Sequence, residues 1–237
     1  MLSLLFLPGV AALLNTGTPI ADRLALRAEL QTLLPPGQPP RALAGRAFEI
    51  VDTLENLENV PATPGFLTLG IGGAWSLAGS QDAPEREDAA TSSAAPPAVA
   101  LLAVRQTLDF STERAYNVVE FSIDEGIAGE LSGALELDAI CAQNAERADT
   151  LNFVTTERRL KIPRAPSCEV PAMMEALHAQ LSHDFLADEG VRLGLQTTYL
   201  DEQLRITRCT TRELAGSCAV HWRLPQEEDE EEGGDGA

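Results

Sequence analysis

From about residue 65 onward, apolar and polar residues alternate in one short segment after another, with few helical stretches between them. Side chains of a β-strand point to opposite faces at successive residues, so a period of two predicts strands. The segments are LTLGIGGAWSLAG, AVALLAVRQTLDF, AYNVVEFSID, GELSGALELDAICAQ, TLNFVTTERRLKI, LGLQTTYL, QLRITRC and SCAVHWRL. Successive strands without alternating helices favour an antiparallel sheet, and this many in one domain close into a small barrel. We therefore expect a mainly β protein with an antiparallel barrel.

Helical spacing occurs outside these segments. Apolar residues recur at steps of three and four from Ile20 to Leu34 and from Leu43 to Leu57, on either side of the helix-breaking PPGQPP. One further helix is expected in AMMEALHAQLSHDFLADEG. The predicted organisation is an apolar N-terminal segment at 1–19, an N-terminal helical segment at 20–60, a barrel domain at 61–224 and an acidic disordered tail at 225–237.

The ends and one insertion contain no strand pattern. The start, MLSLLFLPGVAALLN, has no basic region and is too short to span a bilayer, so it is either the remnant of a targeting sequence or an apolar flap. The run EEDEEE is predicted to be a solubilising tail or a docking site for a basic partner. The Pro-broken stretch from Gln81 to Ala98 is predicted to be a mobile loop. The formal net charge of -19 argues against binding nucleic acid or anionic membranes.

No catalytic or metal-binding pattern is found in the sequence. It has no phosphate-binding glycine loop or GxSxG elbow, and its three histidines have no adjacent nucleophile in a recognisable setting. The four cysteines form no CxxC pair, so we expect no metal and no required cofactor. Cys209 and Cys218 would lie opposite each other across a hairpin loop, although two unpaired thiols are the favoured interpretation. A non-enzymatic protein is expected.

The stretch TTYLDEQLRITR predicts two strands joined by a tight turn at Asp201 and Glu202. Alternation puts Leu204, Ile206 and Arg208 on one face, which we expect to be the inner one, and Arg205 and Thr207 on the other. Thr207→Asp is therefore expected to be tolerated, whereas Leu204→Asp or Ile206→Asp should abolish folding or ligand retention.

The inner face assignment leads to a specific prediction about the two arginines. The first and last strands become neighbours when a barrel closes, so we expect Arg208 to lie over the indole of Trp75. Arg205 would then make only an exterior contact, for example with Asp201. The alternative is that both arginines are solvated at a strand edge.

Several motifs, in order along most of the chain, resemble those of the plastid lipid-associated proteins, also called plastoglobulins or fibrillins. They are TLENLENVPATP, the strand Gly73-Ala74-Trp75-Ser76-Leu77, Gln106 opening a strand, Asn117-Val118-Val119-Glu120-Phe121, and the Tyr199-Leu200-Asp201 turn followed by Leu204-Arg205-Ile206-Thr207-Arg208. The chain departs from the family pattern in having Ala78-Gly79-Ser80 where Tyr-Thr-Ser is usual, and Cys209 where glycine is usual. These departures put a shared ligand in doubt rather than the fold.

The resemblance implies a lipocalin-like barrel, a chloroplast location on thylakoids or plastoglobules, and binding of a carotenoid, prenyl quinone or fatty acid. The expected partners are an apolar lipid or isoprenoid, the thylakoid or plastoglobule surface and a plastid membrane protein complex, with no nucleic acid. The candidate lipid-binding residues are Trp75, Leu77, Phe121, Tyr199, Leu204, Ile206 and Arg208.

Two other functions remain open at this point. A structural role, as a coat or membrane-complex subunit, would go with a barrel filled by its own side chains and a large exposed apolar patch. A continuous apolar cavity would instead favour ligand binding. An enzyme acting on carotenoids or quinones would need a catalytic constellation that the sequence lacks.

Overall fold

The structure is a computed structural model that describes residues 20–57, 70–81, 98–166, 168–181, 188–211 and 215–225. Its helices are α1 (Ile20–Leu33), α2 (Gly45–Leu57) and α3 (Val170–His178), with one 3-10 turn at Gly126–Ala128. Its strands are β1 (Arg41–Ala42), β2 (Gly73–Gln81), β3 (Val99–Asp109), β4 (Arg114–Asp124), β5 (Glu130–Gln143), β6 (Thr150–Lys161), β7 (Arg192–Leu200), β8 (Leu204–Cys209) and β9 (Cys218–Arg223).

The nine strands form one sheet that closes on itself. Neighbours in the chain are neighbours in the sheet, and β2 also pairs with β9, which closes β2 to β9 into a ring. Every pair within the ring is antiparallel, whereas the short β1 pairs in parallel with β2. The eight strands of the ring are the eight that the sequence predicts, and the mainly β class is confirmed.

Two apolar clusters fill the interior of the ring, one towards each end. The first, the α3-side cluster, includes Leu77, Phe121 and Leu135 from three strands together with Met173 and Leu177 of α3. Its members are less than a tenth exposed, so α3 buries its apolar residues against the inner face of the sheet. Because apolar burial is the main favourable term in folding, this contact holds α3 on the ring.

The second interior cluster is built around Trp75, and we refer to it as the Trp75-side cluster. It consists of Ile71, Trp75, Leu108, Ala115, Ala139, Cys141, Leu151, Phe153, Leu193, Leu195, Leu200 and Cys209. The indole of Trp75 is fully buried, and its Nε1 donates to the carbonyl oxygen of Ile71 at 2.7 Å. A buried indole N–H needs such an acceptor, which explains how the ring tolerates this tryptophan.

The helices α1 and α2 cover part of the outer face of the ring. Their apolar residues pack on outward side chains of β2, β7, β8 and β9, in a cluster formed by Leu30, Leu34, Leu43, Ala47, Ile50, Val51, Leu54, Ala78, Tyr199, Leu204, Ile206, Cys218, Val220 and Trp222. The Nε1 of Trp222 donates to the Leu34 carbonyl oxygen at 2.6 Å. Strands β8 and β9 are therefore buried on both faces.

This arrangement corrects the predicted faces of β8. Leu204 and Ile206 point outward and pack under the helices, while Arg205 and Thr207 are only 1% and 4% exposed and point into the ring. A bulge in β7 between Thr197 and Tyr199 accompanies the change in register, whereas β8 itself is regular. The expectation that Thr207→Asp would be tolerated rested on the wrong face, since Thr207 has no solvent to point into.

The structure also bears on the predicted turn and on the predicted pair of cysteines, whereas the predicted end segments and insertion are not described. The tight turn is confirmed, because Asp201 Oδ1 accepts hydrogen bonds from the backbone N–H groups of Gln203 and Leu204 at 2.8 and 2.7 Å. Cys209 and Cys218 do not form a disulfide, and they belong to clusters on opposite faces of the sheet. The 1–19 segment, the insertion at 82–97 and the tail from 226 lie outside the described residues.

Candidate functional site: a polar belt inside the closed sheet

Five buried polar residues lie in the ring between its two apolar clusters, and we call them the polar belt: Gln106, Asn117, Arg205, Thr207 and His221. Strand alternation places them there. Gln106 stands two residues from both Val104 of the α3-side cluster and Leu108 of the Trp75-side cluster, and Asn117 stands in the same way between Ala115 and Val119.

Hydrogen bonds connect much of the belt. A guanidinium nitrogen of Arg205, Nη2, donates to Gln106 Oε1, and Gln106 Nε2 donates in turn to Asn117 Oδ1 at 3.0 Å. Thr207 Oγ1 lies 3.4 Å from His221 Nε2. Buried polar side chains must be paired in this way, because an unpaired one loses its hydration without compensation.

Arg205 is the one charged residue of the belt. Its guanidinium carbon lies 5.1 Å from the centroid of the Trp75 ring. Burial lowers its pKa to about 9, so it remains a cation at neutral pH. Burial, and secondarily the Arg205 charge, hold the pKa of His221 well below its usual value, so this imidazole is neutral.

A second arginine, Arg223, also contacts the Trp75 ring, at 4.2 Å from its centroid. Its guanidinium donates to the backbone oxygens of Gly70, Gly72 and Glu202, and it marks the end of the ring on this side. An arginine with three carbonyl acceptors is well accommodated at a strand end.

The prediction that Arg208 lies over Trp75 is wrong, and Arg205 occupies that position. Arg208 points outward to α2, where its Nε and Nη2 donate to the two oxygens of Glu55 at 2.8 and 2.5 Å. Thr198 donates to the same carboxylate at 2.5 Å. The exterior contact expected of Arg205 with Asp201 is also wrong, since Asp201 pairs with Arg27 of α1 at 3.3 Å.

The structure divides the predicted lipid-binding residues into two groups. Trp75, Leu77 and Phe121 line the interior of the ring. Tyr199, Leu204, Ile206 and Arg208 lie on the outer face, beneath or beside α1 and α2. The phenol of Tyr199 donates to Asp201 at 3.1 Å, so it helps to fix the turn.

Two grooves lie where neighbouring strands separate, and neither is lined by Trp75, Phe121 or Arg205. The first, of about 560 Å³, lies beside α3 and β6 and contains the Arg158–Asp188 ion pair. The second, of about 590 Å³, lies where β2 and β3 separate, because these strands pair only through residues 73–76 and 105–108. It is lined by Pro39, Pro40, Ala42, Leu43, Ser80, Gln81, Val99, Ala100, Leu101, Ala179 and Gln180.

The second groove, which we call the β2–β3 groove, reaches the interior apolar cluster. Val99 and Leu101 line the groove and also belong to the α3-side cluster. Gln180, after α3, donates to the Val99 carbonyl oxygen at 2.8 Å and so attaches the end of α3 to the unpaired edge of β3. Val99 and Leu101 therefore stand between the groove and the interior cluster along this edge.

Sequence reasoning missed Arg205, Gln106, Asn117 and His221 as interior residues. The sequence does contain a signal for them, since each is a polar residue among the apolar residues of a strand that must bury at least one face. The amphipathic α1 and α2 supplied a second signal, because they need an apolar surface on the outside of some strands. Those strands therefore carry apolar residues on both faces, and alternation alone does not tell which face is inside.

Within the described part of the chain, no group of histidine, cysteine or acidic residues is arranged to hold a metal ion. Among the described helices, none has the length and apolar character needed to cross a bilayer. No family model, curated protein or solved structure matches this chain.

Proposed function

We propose that this protein is a non-enzymatic lipid-binding protein whose closed sheet is a lipocalin-like barrel that takes up an apolar chain. The observation that carries the proposal is the β2–β3 groove, because its Val99 and Leu101 belong both to the groove and to the apolar interior. A ligand that enters there meets apolar side chains at once, and their burial drives its binding.

Uptake requires interior side chains to move, and in the proposed mechanism α3 moves away from the sheet together with the side chains that it buries there. It is short, with nine residues, and it is held by Met173, Leu177 and the Gln180 hydrogen bond. Short elements with few buried contacts open at lower free energy than the rest of a domain. Displacement of α3 would leave the inner faces of β2 to β5 free to contact an acyl or isoprenoid chain.

The proposal is tested by lipid analysis of the full-length protein and of two tryptophan variants. Ala100 is exposed and lines the groove, so Ala100→Trp should block it without changing the core. Thr107 is exposed on the same strand away from the groove, and Thr107→Trp is the matched control. We expect stoichiometric lipid in extracts of the parent protein and of Thr107→Trp, and much less in Ala100→Trp. Absence of lipid from the parent, together with no uptake of added oleic acid, would contradict the proposal.

A structural role is the second candidate, and one observation favours it. The interior of the ring is filled by Phe121, Leu135, Trp75 and their neighbours, each almost fully buried. A protein that coats a lipid particle or joins a membrane complex needs no cavity. Retention of full stability by the lipid-free protein and no lipid uptake would support this role.

The proposed location is the chloroplast, on thylakoids or plastoglobules, with an apolar lipid or isoprenoid and a plastid membrane complex as partners. The support is the ordered series of motifs that resemble the plastid lipid-associated proteins. Fractionation of plant cells that express the full chain with a C-terminal fluorescent tag tests this location. Fluorescence confined to non-plastid fractions would refute it.

A further inference from the structure

Arg205 has no acidic partner among the described residues, unlike eight of the other arginines. Ion pairs with carboxylates are formed by Arg27, Arg46, Arg105, Arg147, Arg158, Arg159, Arg164 and Arg208. Arg205 forms none with the described residues, and its Nε meets no hydrogen-bond acceptor there. It is nevertheless 1% exposed and lies among the largest fully buried side chains.

Among the described residues, none near Arg205 supplies a negative charge to balance it. The Cys141 thiol lies near it, but burial raises the pKa of that thiol to about 12, so it is neutral. His221 is a neutral imidazole, and Arg223 adds a second positive charge that disfavours the Arg205 cation. Within the described part of the chain, its cation–π contact is with the Trp75 ring and its hydrogen bond is with the Gln106 amide, and both partners are uncharged.

A buried cation without a counter-charge is costly to the fold, because its hydration is lost and no ion pair replaces it. The cation–π contact with Trp75 offsets part of that cost. Such a site gains most from a partner that brings one negative charge and oxygen acceptors. A carboxylate does so, since its two oxygens match two guanidinium N–H groups.

We propose that Arg205, with Gln106 beside it, binds the carboxylate head of a long-chain acid inside the ring. The inference rests on the proposed function, because it names the head group of the ligand that the barrel takes up. The acyl chain lies among the apolar residues of the α3-side cluster, next to the polar belt. One guanidinium balances one carboxylate charge, so neutral carotenoids, quinones and esters lack the group that the site selects.

The test compares three probes of one chain length: oleic acid, methyl oleate and oleyl alcohol. Binding to the full-length protein is measured by isothermal titration calorimetry at neutral pH. We expect oleic acid to bind about tenfold to a hundredfold more tightly than the other two, as a charge-assisted hydrogen-bonded pair implies. Arg205→Met should remove this preference. Arg105→Met, which removes an exposed arginine paired with Glu120 at 3.2 Å, should keep it.

Stability of the ligand-free protein provides the second measurement. Arg205→Met removes an unbalanced buried charge, so its unfolding midpoint in the absence of lipid should equal or exceed that of the parent. Oleic acid should raise the parent's midpoint more than methyl oleate does, whereas the two probes should raise the midpoint of Arg205→Met equally. If Arg205→Met does not fold, the ratio of the parent protein's affinities for oleic acid and methyl oleate still decides the inference. Equal binding of all three probes overturns the carboxylate site and leaves lipid binding intact. Binding of none overturns both.

Discussion

The Glu55–Arg208 pair joins α2 to β8, and its strength follows from its partial burial. The two side chains are 11% and 28% exposed, and the contact is bidentate. A solvent-exposed ion pair contributes about 0–1 kcal/mol, whereas breaking a fully buried one costs about 3–5 kcal/mol. Because Arg208 keeps some access to water, we expect a coupling free energy between these limits, about 1–2 kcal/mol.

A double-mutant cycle with Glu55→Ala and Arg208→Ala measures this coupling through the free energy of unfolding in urea. The matched control is the pair between α1 and α2, Arg46 and Glu29, which has the same bidentate geometry at 2.8 and 2.9 Å. Its side chains are 53% and 43% exposed. Solvent screens that pair, so its coupling should be clearly smaller.

Both pairs join an N-terminal helix to its neighbour through one arginine and one glutamate, and they differ mainly in burial. Arg46 also contacts Glu49 at 3.3 Å, and Glu55 also accepts from Thr198, but a double-mutant cycle subtracts such contacts with third residues. Equal coupling energies in the two cycles would refute the argument that partial desolvation strengthens the Glu55 pair. A coupling near zero for Glu55 and Arg208 would show in addition that Arg208 turns to solvent in solution.

Three further predictions concern the interior and the insertion. The pKa of His221 is lowered in the folded state, so the unfolded state binds the additional proton, and the free energy of unfolding should fall as pH drops below about 6.5, by up to about 1.4 kcal/mol per pH unit. Urea unfolding between pH 5.5 and 7.5 should show a weaker pH dependence of this free energy in His221→Gln, and an identical pH dependence in the two proteins would contradict the prediction. Gly133→Ala should lower the free energy of unfolding by about 1–3 kcal/mol, because the new Cβ would lie 2.6 Å from Ile162 Cγ2 and 2.7 Å from Phe121 Cζ. Denaturant unfolding should show a smaller loss for the same change in a Phe121→Leu background, and equal losses in the two backgrounds would exclude the Phe121 contact as the cause. Replacing 82–97 by a short Gly/Ser linker should shift the thermal unfolding midpoint by about 2 °C or less, as the sequence-based prediction of a mobile loop implies. A shift as large as that of a core truncation would show that the insertion packs against the sheet.

The sequence predicted the sheet well because its signals are local. Alternation, turn residues and the breaks between segments identified the eight strands of the ring, and helical spacing identified α1 and α2. The pairing of the first and last strands of the ring also follows, since closure removes two exposed edges. The two-residue β1 was missed, because a segment as short as Arg41–Ala42 has no period to detect.

The site was predicted less well because it depends on contacts between distant parts of the chain. Trp75, Leu77 and Phe121 were correctly expected to point inward, each in a strand whose outer side chains are mostly polar or small. Leu204 and Ile206 were assigned to the wrong face because α1 and α2, more than 140 residues earlier in the chain, cover the outside of β8. No period within β8 carries that information.

The two arginines of LRITR need different partners, since alternation sends Arg205 and Arg208 to opposite faces of one strand. On the outer face, α2 supplies the carboxylate of Glu55, so the helix packing that buries Leu204 and Ile206 also neutralises Arg208. On the inner face, the described strands supply Trp75 and Gln106, which bind a guanidinium but do not neutralise it. Retaining an unbalanced cation lowers stability, whereas a methionine of similar volume would not. An arginine kept at that cost is explained if its counter-charge arrives with a ligand, and for this reason we place the head-group site at Arg205 rather than at Arg208.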